Sequence, residues 1–389
     1  MKKRILFLFT LAFALCACCL FASAKTFETR TVDHVVYIFY PATEELPERC
    51  SVMSLFDSEE AMKGVTELTI PAEIDGVPVT SIFKDTRLSY IDAELETVHL
   101  PDTLQSISKD AFQHMRSLQE IEIPSSVTAI GQRAFLGCTG LTEITLPDGL
   151  IGLGKGCFKD CKNLAQVQYS GDKLEKIGDY AFARCGKLET LPLPASLQSI
   201  GRFAFYCAGL KSIRIPGGCV LGNSAFQSAT KLKKVVFEDR TGKDAYLIGL
   251  NAFSGCSNLL KVYFPKETAP FQIPANAFAG CKKLQAVYRT SQVTAIGASA
   301  FYGCESLRSF TVPEGITAIG TYAFENCTGL KKLRVLATSS AFLTAKKQNA
   351  AFLQTMPEGC KVYVKTAAMQ DAFIKAGCTN KVIVKVDLK

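Results

Sequence analysis

Tryptophan is absent from the 389 residues, and histidine occurs only as His34, His99 and His114. So few histidines, scattered and never paired at metal-ligand spacing, leave no Ser-His-acid, Cys-His or histidine-metal constellation. Carboxylates are spread along the chain with no acid constellation, so it reads as non-enzymatic, with no cofactor and no metal expected. Gly149-Leu150-Ile151-Gly152-Leu153-Gly154-Lys155-Gly156 resembles a phosphate-cradling loop but lacks the Gly-Lys-Ser/Thr ending that positions phosphate and metal. A repeat turn is the better reading. The net charge of +8 is thin over such a length and lacks the dense clustering of a nucleic-acid binder. No long polar tract argues for disorder, and with 48% hydrophobic residues the composition fits one continuous architecture.

The N-terminal apolar run, Ile5 to Leu15, is too short and wrongly flanked for a retained membrane span. Lys2-Lys3-Arg4 before it and Ala22-Ser23-Ala24 after it fit a signal peptide over residues 1–24. Leu15-Cys16-Ala17-Cys18 also resembles a bacterial lipobox, in which Cys18 would become the lipidated first residue. Both routes take the mature chain out of the cytoplasm, to a secreted, periplasmic or cell-surface location.

Sixteen cysteines are present, and removing Cys16, Cys18 and Cys19 with the leader leaves an odd thirteen, which cannot all pair. Cys360 and Cys378 are the best candidates for a disulfide. Most others follow a period. An Ala-Phe pair or near variant recurs with phenylalanines at Phe112, Phe135, Phe158, Phe182, Phe205, Phe226, Phe253, Phe278, Phe301 and Phe324, spaced 21 to 27 residues apart. Cys138, Cys161, Cys185, Cys256, Cys281, Cys304 and Cys327 each lie three residues after the phenylalanine, and Cys207 two after. One cysteine per repeat makes a ladder rather than a metal centre, and each reads as a small buried packing residue.

The unit is clearest at Ile130 to Pro147. Ile130, Ala134, Cys138 and Leu141 are spaced four, four and three, which predicts one face of a short helical turn. Leu141-x-x-Ile144-x-Leu146 then switches to period two, the mark of a strand with one buried face, and proline stops it. Ile-Gly precedes the Ala-Phe pair in several units, and the glycine is read as freedom to turn sharply. A unit this short cannot bury its own apolar face and needs copies on both sides.

A period near 23 with Leu-x-x-Ile-x-Leu-Pro, Ile-Gly-x-x-Ala-Phe-x-x-Cys-x-x-Leu resembles the BspA-like class of leucine-rich repeats, also called the treponemal type. The resemblance covers residues 65–336. Cys157 departs from the alanine before Phe158, Met115 and Ala229 stand in place of the cysteine, and longer loops fall at Asp239 to Asp244 and Lys266 to Pro274. The expected fold is a leucine-rich-repeat solenoid of α/β repeats. A curved parallel sheet would line the concave face and short helical or irregular turns the convex face. Residues 25–64 would form an N-terminal cap, with Thr31 to Tyr40 as a strand or hairpin arm. Residues 337–389 would form a C-terminal cap, which the resemblance places at Cys360 to Val364 followed by Met369 to Phe373, and Val382 to Val386 reads as a final strand that closes the apolar end with the preceding helix. The resemblance also implies an exported or surface-displayed bacterial protein that binds other proteins, with adhesion to host matrix as the usual proposal.

The x positions of the strands should face out. In the first five full rungs they carry Glu96, Glu120, Glu122, Glu143 and Glu189 and no Lys or Arg. In the next six they carry Lys211, Arg214, Lys233, Lys234, Lys261, Arg308, Lys331, Lys332 and Arg334 and no Asp or Glu. With strands about 4.8 Å apart the basic part runs on the order of 25 Å. Val236, Leu260, Tyr263 and Tyr288 lie in its middle as an apolar and aromatic anchor. Solvated sheets favour charge for solubility, but mixed signs would serve that equally, and one sign steers oppositely charged partners. The expectation is an acidic protein, such as a host-matrix protein, or a sulfated glycan on this face. The alternative is a lipid-anchored envelope scaffold without a soluble ligand.

Overall fold

A computed structural model describes residues 28–388, apart from 44–45, 59, 84–93, 170, 240–246, 267–268 and 345–350. The leader with Cys18, and most of the loop after Asp239, therefore lie outside the described residues. Each repeat forms one coil. In the coil of Ile130 to Pro147, the short strand Ala129–Ile130 leads through Gly131 into a tight turn around Phe135, and the strand Glu143–Thr145 follows. Ile144 points inward at 3% exposure while Glu143 and Thr145 are exposed, as alternation dictates. The positions that define the repeat (Ile130, Ala134, Phe135, Cys138, Leu141, Ile144 and Leu146) are all buried.

Stacked coils build two parallel ladders where the sequence predicts a single sheet. The first ladder comes from the Leu-x-x-Ile-x-Leu segments. It runs in four hydrogen-bonded stretches: Glu67–Thr69 to Glu120–Ile121, Glu143–Thr145 with Gln166–Gln168, Ser212–Ile215 to Ala286–Tyr288, and Ser309–Val312 to Val382–Val384. The second ladder is made by the Ile-Gly segments. Val77–Ile82, Ser106–Ile107, Ala129–Ile130, Gly152–Leu153, Lys176–Ile177, Ser199–Ile200 and Val220–Leu221 pair in register, and Phe271–Ile273, Val293–Ile296 and Ala318–Ile319 form a further stretch. Gly154 occupies the Ile-Gly position of its coil, so the glycine-rich stretch is indeed a repeat turn.

The role of the Ile-Gly glycine differs from the one its sequence context predicts. Gly131, Gly154, Gly178, Gly201, Gly297 and Gly320 have no left-handed backbone. A Cβ built on any of them would meet the preceding coil's backbone at 2.3 to 2.8 Å. Close stacking, and not freedom to turn, requires a residue without a side chain here.

No helix occurs among the described repeat residues, which corrects the α/β expectation. The Ala-Phe segment is a chain of overlapping four-residue turns. Ala134 N–H donates to Gly131, Leu136 to Arg133 and Cys138 to Phe135. In all ten coils the residues two before and two after the phenylalanine are left-handed, from Asp110 and His114 to Tyr322 and Asn326. This alternation turns every second peptide along the stacking direction. Arg133, Phe135 and Gly137 N–H groups donate to Lys155, Cys157 and Lys159 of the next coil at 2.7 to 2.9 Å. The turns thus form a third hydrogen-bonded ladder, which satisfies backbone groups a helix would have bonded internally.

Between the ladders the ten phenylalanines stack face to face without interruption. Neighbouring centroids lie 4.9 to 5.6 Å apart and ring planes within 17°. Beside them the cysteines do more than fill space. The Cys138 thiol donates to Phe112 O at 3.0 Å, Cys161 to Phe135 O at 3.0 Å and Cys327 to Phe301 O at 3.0 Å, each one coil back. Burial pushes the Cys138 thiol up, and the Cys161 and Cys256 thiols to about 12. All thirteen described cysteines are free, Cys360 and Cys378 included.

Ahead of the repeats, Glu28–Val32 and Val35–Tyr40 form an antiparallel hairpin that pairs through Arg49–Ser54 onto the second ladder. After the repeats, Lys361–Val364 and Val382–Val384 extend the first ladder, and the helix Ala367–Lys375 packs against both strands. Thr366 caps that helix by accepting from Met369 N–H.

Candidate binding face

Strand register fixes three outward rows along the basic part of the first ladder. Ser212, Lys234, Lys261 and Ala286 are direct neighbours in one row, and Arg214, Val236, Tyr263 and Tyr288 in another. One residue before the strands' own pairing, Lys211, Lys233, Leu260 and Gln285 follow one another through backbone bonds. Beyond the break after Tyr288, Ser309 and Lys332 continue the first row and Thr311 and Arg334 the second, while Lys331 N–H bonds to Arg308 O. The face therefore brings together all thirteen residues expected there. Lys211, Arg214, Lys233, Lys234, Lys261, Tyr288, Arg308, Lys331 and Lys332 are exposed. Val236, Leu260, Tyr263 and Arg334 are half-buried.

Two contributors lay outside the pattern used to find the others. Lys361 pairs directly with Lys332 and is exposed. Arg289 takes the position that Leu146 fills in its own coil, yet it is exposed and left-handed at φ 63°. A cation at the last apolar position of a Leu-x-x-Ile-x-Leu segment was a readable sign that this coil ends differently. On the acidic side, Glu67 joins Glu96, Glu120, Glu122, Glu143 and Glu189 through the pairing of Glu67 with Thr97 and Thr97 with Glu120.

The change of charge falls at a break in the ladder. No strand forms at Leu191, because Pro192 has no N–H to give a neighbour. The first basic residue beyond the break, Lys211, donates to Glu189, and this holds the Glu189 carboxyl below its ordinary range. Arg214 reaches Glu238 at 3.4 Å. Lys233, Lys234, Lys261, Arg289, Arg308, Lys331, Lys332 and Arg334 make no ion pair with any described carboxylate. Their charges are turned to solvent, where self-repulsion disfavours the bare face and an anion would relieve it.

Near the middle the side chains are ordered against one another. Tyr263 and Tyr288 stack at 4.6 Å with ring planes 11° apart, and Lys234 Nζ sits 5.3 Å from the Tyr263 centroid. Arg214, Lys234, Val236, Tyr263 and Arg289 bound an open depression of about 320 Å³. Three cations and a phenol around a valine floor suit an anionic group. Among the described residues no cluster of three or more His, Cys, Asp or Glu side chains could hold a metal ion, and no helix is long and apolar enough to cross a membrane.

Comparison with known proteins agrees with this architecture. The family described as BspA type leucine rich repeat region (6 copies) matches over residues 87–172, 170–272 and 247–352. No curated protein matches. Among solved structures, a leucine-rich repeat protein from Bacteroides ovatus is 24% identical with a TM-score of 0.58, covering 94% of this chain and 99% of its own. The pneumococcal vaccine antigen PcpA is 20% identical, with a TM-score of 0.48 and coverage of 92% and 98%. A leucine rich cell surface protein from Faecalibacterium prausnitzii is 20% identical, with a TM-score of 0.40 and coverage of 90% and 98%.

Proposed function

Given that this chain belongs to the BspA-type leucine-rich repeat family, we propose that it is an exported recognition module whose basic face binds an acidic extracellular macromolecule and so serves adhesion. The division of charge carries the reading. Acidic side chains stand on the first ladder up to Glu189, and cations with no described acidic partner dominate it from Lys233 onward. Solubility alone sets no such boundary, whereas a like-charged stripe raises the capture rate of an opposite partner. Export is supported by the basic, apolar and small-residue succession of residues 1–24.

The test is a binding assay of the mature chain against extracellular-matrix extract. Lys233→Glu, Lys234→Glu, Lys332→Glu and Arg334→Glu together should abolish binding, and the wild type should weaken steeply with salt. Undiminished binding by the quadruple variant would end this proposal.

A further inference from the structure

We propose that the ligand of this face is a linear sulfated polysaccharide lying along the stacking axis, with the depression at Arg214, Lys234, Tyr263 and Arg289 as a subsite for one sulfate. This inference rests on the binding role proposed above for the same face and names the chemistry of its partner.

The first observation is the cations' repeat. From Lys211 to Lys361 every coil contributes at least one exposed or half-exposed cation, whether on its outward rows or, as Arg289, at the strand's end. Adjacent coils are about 4.8 Å apart. A row of charges repeating along one axis matches a chain whose charges also repeat along one axis. The acidic patch of a folded protein spreads its charges over two dimensions and mixes them with the other sign.

The second observation is how little apolar surface accompanies the charge. Stable protein interfaces bury about 800 Å² on each partner around an apolar core. Here Val236, Leu260 and Tyr263 are already half-buried, and Tyr288 alone is well exposed, at 40%. Such a face gains most of its affinity by releasing the counterions of a polyanion.

The third is the built order of the subsite. The inner faces of the two tyrosines cover each other, so a sugar ring cannot lie between them. Their side chains stand out from the strands, and the phenol ends are what a ligand meets. Lys234 is held against Tyr263, and its charge, like that of Arg289, meets no described carboxylate. Arg214 has only its long 3.4 Å contact with Glu238 to exchange. A sulfate in the depression would accept from Arg214, Lys234, Arg289 and the Tyr263 hydroxyl.

The mature chain would be titrated with heparin, chemically desulfated heparin and poly-L-glutamate at 0.05 to 0.3 M NaCl. Heparin should bind and weaken steeply with salt. Lys234→Ala with Arg289→Ala should lower affinity at least about tenfold at 0.1 M and make the log–log salt slope shallower by about 1 to 2. Lys155→Ala with Lys176→Ala, an equal change of charge away from the first ladder, should leave affinity within about twofold. Unchanged unfolding midpoints would establish that both variants fold, as expected for exposed side chains. Poly-L-glutamate binding as tightly as heparin would overturn the assignment in favour of an acidic protein, and desulfated heparin binding as tightly would overturn the sulfate subsite. A double variant with wild-type affinity and slope would overturn the subsite. Absence of heparin binding, with matrix binding still abolished by the quadruple reversal, would remove the polysaccharide and leave the recognition face standing.

Discussion

A methyl group has no room at position 201. Its carbon would lie 2.4 Å from Asp179 N and 2.6 Å from Gly178 C, both backbone atoms of the preceding coil. Gly201→Ala should therefore destabilise the fold by about 1–3 kcal/mol or more, since stacked backbones cannot rotate aside as a side chain would. Gly186→Ala, with nothing within 4 Å of the added carbon and no left-handed backbone, should be neutral or slightly stabilising. Urea denaturation of the two variants decides the point, and equal losses would contradict the stacking role. The cysteines make a second prediction at this scale. Burial raises the pKa of Cys161, Cys219 and Cys256, so folding favours their protonated thiols, and this stability is fully present below the unfolded value of about 8.5. It is lost as pH rises through the folded values near 12 of Cys161, Cys219 and Cys256. The urea midpoint should fall between pH 8.5 and 11, and less so when Cys161 and Cys256 are both replaced by Ser. A midpoint independent of pH over that range would contradict this. Much at this scale was hidden from the sequence. Arg133, Tyr180 and Phe203 adopt φ of 56°, 58° and 54°, although none is a residue type that favours left-handed backbone. The ladder of turns holds them there, and a ladder exists only once coils are stacked. Spacing of four, four and three therefore pointed to a helix, while the buried positions it identified were the right ones.

At the scale of the element, stability lies in continuity between coils. Phe205 is fully buried and stacks on Phe182 at 5.5 Å and Phe226 at 4.9 Å. Phe205→Ala should cost about 3–5 kcal/mol, because it removes two ring contacts and opens a cavity the neighbouring coils cannot close. Calorimetry or urea unfolding would show it, and a loss below 1 kcal/mol would mean the stack is incidental. The period that marks these rings was legible in the sequence, and so were the first-ladder strands, because both are written in apolar residues at fixed intervals. The second ladder was not. Most of its strands, such as Ala129–Ile130 and Lys176–Ile177, are two residues long, too short for alternation to register. Pro192 was legible as a strand breaker in principle. That its break coincides with the change of charge needed the register between coils.

For the molecule as a whole, repetition makes one face long while the x positions leave it free to vary. Which residues line that face could be read from the sequence, since the strand pattern alone decides which side chains point outward. How they meet could not: the Tyr263–Tyr288 stack, the Lys234 contact and the inclusion of Arg289 depend on the alignment of separate coils. The central claim is that the basic end of this face, and not net charge, captures the partner. The most direct measurement compares two variants by surface plasmon resonance on immobilised extracellular-matrix extract at 0.05 and 0.2 M NaCl. One reverses Lys233, Lys234, Lys332 and Arg334 to Glu, and the other reverses Glu96, Glu120, Glu122 and Glu143 to Lys. The account predicts that the first loses binding at both salts, while the second keeps the wild type's binding or exceeds it. Binding retained by the first variant, or lost equally by both, would contradict it.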